Sequence, residues 1–539
     1  MRRLPTVALL LGLLCLATPA DPIGAQGSAA KTATGTSKTA AKQTTASTKK
    51  RSTKSTSAKT RSAKGSSRAK AAPRPKLVAA VLTGASALES HLRTLVANAT
   101  KSGRWGVMVV SLTNGDTLYD HNGDELLLPA STMKLYTAAI ALERLGPNHR
   151  LRTQVLRTGS VRSGGVLAGD LILKGAGDPS LAPRVAGGVP GLHPLDALAA
   201  QVAAAGIREI RGDLVGDASA FDGQRVPDGW RARHLQTSYG TRVSALSYNE
   251  NLTTITVRPS TRGAQVTFGQ PVSGLALRSA VTVRPNSRSA SIRVWQDTLT
   301  NEYRVSGWIG ARSAARTYQV VVEQPEQFVA AAFRAALEAQ GVRVTGATRV
   351  GRAPAAAQVV TAWDSPPVAT LVATMNGESN NHFAELLFRN TARSSGAVGS
   401  AVIANESLRT FLAERVGIPR RAVFAADGSG LSTLDRVTPR SMIQLLDYSV
   451  SAPWAPVLQA SLPIAGRTET LKNRMRGTAA QGNLRAKTGT TGEVVSLGGY
   501  VTAKNGEELA FSFIYNGTDR WRARTAIDAM GVTLASFSR

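Results

Sequence analysis

Two hairpin signals at opposite ends of the chain constrain its fold more than anything between them. Near the start, "WGVMVVSL" and "TLYDHN" flank "TNGD"; near the finish, "VVSLGGYVTA" and "ELAFSFIYN" flank "KNGE". Asn-Gly between apolar, strand-like runs is the turn that two antiparallel strands need. The helical pattern "ASALESHLRTLVANA" precedes the first hairpin, and "RTAIDAMGVTLASF" follows the second. Helix then hairpin, answered by hairpin then helix, predicts one antiparallel sheet built from both termini and covered by their helices. The middle of the chain is then an insertion.

That middle has its own character. From 153 to 365 it is rich in Val, Arg, Gly and Thr, with short strand-like runs such as "LTTITVRP" and "SASIRVWQ" before the helical "PEQFVAAAFRAALEAQG". After Pro366 and Pro367 the pattern turns helical again in "VATLVATMNGESNNHFAELLFRNTA". The predicted fold class is α+β: a split domain over 77–152 and 366–539, interrupted by a largely β, two-lobed insertion. The insertion divides into a domain II over 153–178 and 251–365 and a domain III over 179–250. No internal repeat is evident.

The chain's 539 residues carry a formal net charge of +30, and about half of it lies in one segment. Residues 1–25, opening "MRRLPTVALLLGLLCLATPA", read as a secretory signal peptide cut near Ala20 or Ala25. The single cysteine, Cys15, falls inside it, so the exported protein would lack disulfides and thiolate chemistry. Its expected location is the periplasm or extracytoplasmic envelope. Residues 26–76 form an Ala/Lys/Ser/Thr-rich basic tail, with fourteen basic and no acidic residues from 28 to 76, too polar to bury a core. Two readings stay open for it: a solubilising spacer, or attachment to an anionic wall polymer or membrane surface. No specific nucleic-acid partner is expected, and no later run is long and apolar enough to span a bilayer.

"ASTMKLY", residues 130–136, places Ser131 three positions before Lys134 at the start of a predicted helix. Residues i and i+3 are neighbours on a helix surface, so the hydroxyl and amine can meet. The pattern also fits an N-cap serine with a solvated lysine. Pro129 and the mostly apolar "LYTAAIALERL" put the serine at the mouth of a buried helix, a rigid mount for a nucleophile.

Two further motifs follow. "GESNNHFAELLF" sets Ser379, Asn380 and Asn381 before a helix, and "RAKTGTTGE" sets Lys487, Thr488 and Gly489 on a strand leading into the closing hairpin. Taken in this order, the three resemble the signature of the penicillin-binding protein and serine β-lactamase superfamily. About 250 residues separate Ser131 from Ser379. That spacing, with "KGAGDPSL", "GDLVGDASAFDG", "SALSYNENL", "AADGSGLS" and "LPIAGRTETL", resembles the D-alanyl-D-alanine carboxypeptidase/endopeptidase family S13, the penicillin-binding protein 4 type. Glu469 stands where that family usually has glycine, and Thr491 where an apolar residue is commoner.

The resemblance implies a β-lactamase/transpeptidase-like catalytic domain and a serine DD-peptidase acting on peptidoglycan peptides, with β-lactams as covalent inhibitors and no cofactor. It implies Ser131 as nucleophile, Lys134 as base, Ser379, Asn381 and Lys487 as further catalytic groups, and Thr488, Gly489 and Thr490 as substrate-binding positions. The N–H groups of Ser131 and Thr490 would form the oxyanion hole, and Gly489 would let substrate lie along the strand. A serine β-lactamase and a non-catalytic wall-binding protein are the alternatives. The large insertion argues against the first, and three intact motifs argue against the second.

The six histidines show no paired ligand spacing, so no metal site is expected. His382 reads as helix-face packing and Asp178 as a turn residue. Asp427 and Ser429 read as loop chemistry.

Overall fold

The structure, a computed structural model, describes residues 82–184, 193–269, 275–297 and 302–539. The expected signal peptide and basic tail lie outside these residues.

Both termini build the central sheet. Arg104–Ser111 pairs with Thr117–His121 on one side and with Glu508–Asn516 on the other. Val494–Thr502 follows, and Arg485–Thr490 forms the far edge. Every pairing is antiparallel, and the two NG turns close the hairpins that the sequence predicts.

Side chains alternate across the strands, so the sheet offers two apolar faces. Val107, Val109, Phe511 and Phe513 pack under the terminal helices Ala85–Ala99 and Arg520–Ser536, joining Leu88, Leu92, Ile527 and Met530. Met108, Ala510 and Ile514 face the other way, toward a helical layer made by Met133–Arg144, Val368–Glu378, Asn381–Arg393, Ala401–Phe411 and Pro439–Ser451. Within this layer Met133–Arg144 is buried without a break from Met133 through Leu142.

The insertion is cut differently from the expectation. Strands Glu209–Ile210 and Leu214–Asp217 come from the stretch expected as a separate domain III. They hydrogen-bond within the sheets of Arg152–Arg157, Val166–Leu167, Leu171–Lys174 and Gln358–Asp364. The stretch that pairs only with itself is instead 252–321, as two three-stranded sheets around Ile255, Val257, Tyr303, Val305 and Ile309. Parallel pairing joins Leu171–Lys174 to Leu214–Asp217 across a long crossover, and linear composition carries no trace of such a partner.

Candidate active site

Ser131 sits in a single 3₁₀ turn, Ala130–Thr132, directly ahead of the buried helix. The turn is held from below, because Thr132 Oγ1 and Ser496 Oγ both donate to Pro129 O, at 2.7 and 2.6 Å. Ala130 adopts φ +48°, an unfavourable region for a residue with a Cβ. Its carbonyl packs so closely on Gly430 (φ +81°) that a Cβ there would lie 1.8 Å from it. Neither Ser131 nor Thr132 caps the helix with its side chain. The N-cap reading of Ser131 therefore fails.

What Ser131 Oγ meets is Lys134 Nζ, at 3.0 Å. This lysine is fully buried, and its amine also donates to Asn381 Oδ1 and to the carbonyl of Ser429, each at 2.7 Å. Burial lowers its pKa to about 8, against the opposing pull of the Asp427, Glu385 and Asp435 carboxyls. A second buried amine, Lys487, donates to Ser379 Oγ and Thr488 O, both at 2.8 Å. Burial first, and the charge of Lys134 second, push it well below the ordinary lysine range.

The tripeptide Ser379–Asn381 divides its work. Helix Val368–Glu378 ends at Ser379 in the left-handed region (φ 60°, ψ 39°), and the next helix begins at Asn381. Asn380 caps that helix by accepting from Phe383 N at 3.2 Å, while its amide donates to Glu250 at 2.8 Å. Asn381 reaches the other way, accepting from Lys134 and donating to Tyr239 O at 2.9 Å.

The loop 427–432 completes the floor. Asp427 accepts from the backbone N–H groups of Ser429 (3.0 Å), Gly430 (2.6 Å) and Ser432 (2.8 Å). From the neighbouring helix, buried Glu385 accepts from Gly428 N at 3.1 Å and pairs with fully buried Arg389 at 2.8 Å. Burial, then the charge of Asp427, raises the Glu385 carboxyl to about 7.

A cleft of about 390 Å³ opens above these groups, and Ser131, Ser379, Asn381 and Thr490 all line it, with Tyr239, Leu431 and Arg520. Lys134 and Lys487 lie buried behind its wall. Thr488 and Gly489 do not line it. The Thr488 hydroxyl donates to Thr470 at 3.1 Å. Gly489 is needed for a reason other than room for substrate: a Cβ there would meet Ser496 Oγ at 2.1 Å, Pro129 O at 2.8 Å and Ser131 N at 3.1 Å. The glycine lets the edge strand press against the Ser131 turn.

Tyr239 and Arg520 carried no motif in the sequence, and Asp427 and Ser429 only a turn-like "DGSG". His382 is buried with Nδ1 3.3 Å from Thr241 Oγ1, and Asp178 Oδ1 accepts from Ser180 N and Oγ at 2.8 and 2.6 Å, as packing and turn residues do. Among the described residues, no cluster of His, Cys, Asp or Glu could hold a metal ion, and no helix is long and apolar enough to cross a membrane.

An antiparallel sheet between terminal helices and a helical layer, with the cleft at the head of the buried helix, is the fold of the penicillin-binding protein and serine β-lactamase superfamily. Within it the chain belongs to the D-Ala-D-Ala carboxypeptidase 3 (S13) family, which it matches over residues 85–537. It is 35% identical over 449 residues to a D-alanyl-D-alanine carboxypeptidase from an Actinomadura species, covering 80% of this chain and 81% of that one. The crystal structure of penicillin binding protein 4 (dacB) from Haemophilus influenzae superposes with TM-score 0.71 at 25% identity, covering 82% of this chain and 98% of the other. A structure of that protein complexed with a β-lactam superposes with TM-score 0.68 at 23% identity and the same coverage. The chain is accordingly a serine-type carboxypeptidase of the penicillin-binding protein 4 type.

Proposed function

We propose that the enzyme is exported, releases the terminal D-alanine of peptidoglycan stem peptides, and also cuts D-alanyl cross-links, through an acyl-enzyme on Ser131. The observation that carries this is the set of contacts around Lys134 Nζ. A neutral amine has two N–H bonds and one lone pair. The two fixed acceptors, Asn381 Oδ1 and Ser429 O, take the N–H bonds, which leaves the lone pair facing the Ser131 hydroxyl. A pKa lowered to about 8 supplies the free base that this requires near neutral pH.

Ser131 Oγ attacks the carbonyl carbon of the penultimate D-alanine while its proton passes to Lys134. The oxyanion is stabilised by the N–H groups of Ser131 and Thr490. The C–N bond breaks as the proton taken up by Lys134 passes to the leaving nitrogen by way of Ser379 Oγ, which the Lys487 amine contacts, and Lys134 returns to its neutral form. Water then attacks the ester with Lys134 again as base, freeing Ser131. The substrate's terminal carboxylate, held near Thr490 in the cleft, restores the charged form of Lys487 that burial disfavours in the empty site. A β-lactam acylates the same serine, and the β-lactam complex of the Haemophilus relative supports this reading. The tail is proposed as a tether to anionic wall polymer or membrane surface.

The deciding experiment follows D-alanine release from a soluble pentapeptide and maps the penicillin adduct by mass spectrometry. Release together with an adduct on Ser131 is expected. No release, or an adduct on another residue, overturns the proposal.

A further inference from the structure

Residues 252–321 carry nine arginines and no lysine, against two acidic residues, Asp297 and Glu302. The charges are sorted along the strands. Asp297 and Glu302 pair in register at the end anchored to the rest of the chain, where Val322 N donates to Asn251 O, Tyr303 Oη to Val321 O and Gln236 to Gln296 O. Their partners are Arg278 and Arg304. At the opposite end the strands turn, at 260–263, 284–290 and 310–316. Arg258, Arg262, Arg284, Arg288, Arg312 and Arg316 gather there, all exposed.

None of these six has a carboxylate within ion-pair distance among the described residues. The turns hold them together, since Ala311 N donates to Arg284 O and Arg312 N to Ser287 O, both at 2.9 Å. Arg284 lies over the Trp308 ring, 4.1 Å from its centroid, which fixes one guanidinium plane at the surface. Uncompensated like charge at one tip opposes folding, so its concentration there asks for an external anion.

We propose that this outer end docks the carboxylate-bearing peptides of polymeric peptidoglycan, holding the enzyme on the polymer while the cleft works on individual stem peptides. The identity of the polymer rests on the proposed function. Arginine suits it because a guanidinium binds a carboxylate through two parallel hydrogen bonds, which a lysine cannot do. A lipid surface fits less well, because none of the exposed large apolar side chains among the described residues belongs to 252–321, so nothing there would insert between headgroups.

The test uses the full chain with these six arginines changed to glutamine, beside a control in which six tail lysines between 31 and 54 become glutamine. Retention on sedimented peptidoglycan is measured at low and high salt, with anionic vesicles and duplex DNA in parallel. The arginine variant should lose at least about tenfold in retention at low salt, more than the tail control, with D-alanine release from a soluble pentapeptide unchanged. Amidating the polymer's carboxylates should weaken wild-type retention in the same way. Wild-type retention by the arginine variant overturns the proposal, as does a loss confined to vesicles or DNA. An inactive wild-type enzyme on soluble peptide would instead defeat the proposed reaction, which retention does not measure.

Discussion

The indole Nε1 of Trp230 donates to Asp427 Oδ2 at 2.6 Å, joining the inserted segment to the loop whose Ser429 carbonyl accepts from Lys134. Asp427 thereby collects four donors, three from its own loop and one from 197 residues away. Trp230→Phe removes only the long-range one. It should slow acylation by about tenfold to a hundredfold, in line with about 1.5–3 kcal/mol for a hydrogen bond to a charged group. Asp427→Ala strands four donors and should lower both stability and acylation far more. Equal acylation rates in Trp230→Phe and wild type would show that the loop holds Lys134 without help from the insertion.

Ser131→Ala should abolish D-alanine release and penicillin labelling while leaving the fold intact. Because Ser131 Oγ caps no backbone amide, the change in unfolding free energy should stay within about 0.5 kcal/mol, below the usual effect of losing a cap. A folded Ser131→Ala protein that still forms the adduct would falsify the assignment of the nucleophile.

Lys134→Arg should be as inactive as Ser131→Ala, since a guanidinium keeps its proton throughout the accessible pH range. In the wild type, kcat/KM should rise with pH and level off above an apparent pKa near 8. The direction follows from the sign: the active form is the free base, and burial shifts its formation down from the ordinary lysine range. A profile that is flat from pH 6 to 9 would exclude Lys134 as the base.

Asn381→Ala and Ser379→Ala should impair acylation, whereas Asn380→Ala should act mainly on stability. Asn380 caps a helix and holds Glu250, so about 0.5–2 kcal/mol of stability is expected to go. Comparing urea unfolding with penicillin acylation rates for the three variants separates the two roles.

Glu469 adopts φ +44° on an exposed turn. Glu469→Gly should stabilise the protein by about 0.5–1 kcal/mol, the relief of left-handed strain exceeding the extra freedom that glycine gains in the unfolded chain. Destabilisation on urea unfolding would mean that the Glu469 side chain contributes packing beside Gly377 that outweighs its backbone strain.

Much of this molecule was legible because local rules reach far enough. NG turns between apolar runs specify hairpins through a few consecutive residues, and the i, i+3 spacing specifies which face Ser131 shares with Lys134. The break at Ser379 was half legible: the sequence placed the tripeptide before a helix, without showing that Asn380 would cap it and Asn381 turn to the lysine. The lobes of the insertion were misdivided because Leu214–Asp217 pairs in parallel with Leu171–Lys174, a partner chosen by packing and not by any neighbouring residue.

Sequence alone pointed to the groups that could do the chemistry: two hydroxyls, two amines and an amide, spread over three motifs. Tertiary structure decided whether they would. The acceptors that surround Lys134 lie 247 and 295 positions further along the chain. Its lowered proton affinity comes from burial beneath a helical layer that includes 368–451. A lysine's identity is written in one residue, but its protonation depends on the dielectric and the dipoles around its nitrogen, and only the folded chain supplies those.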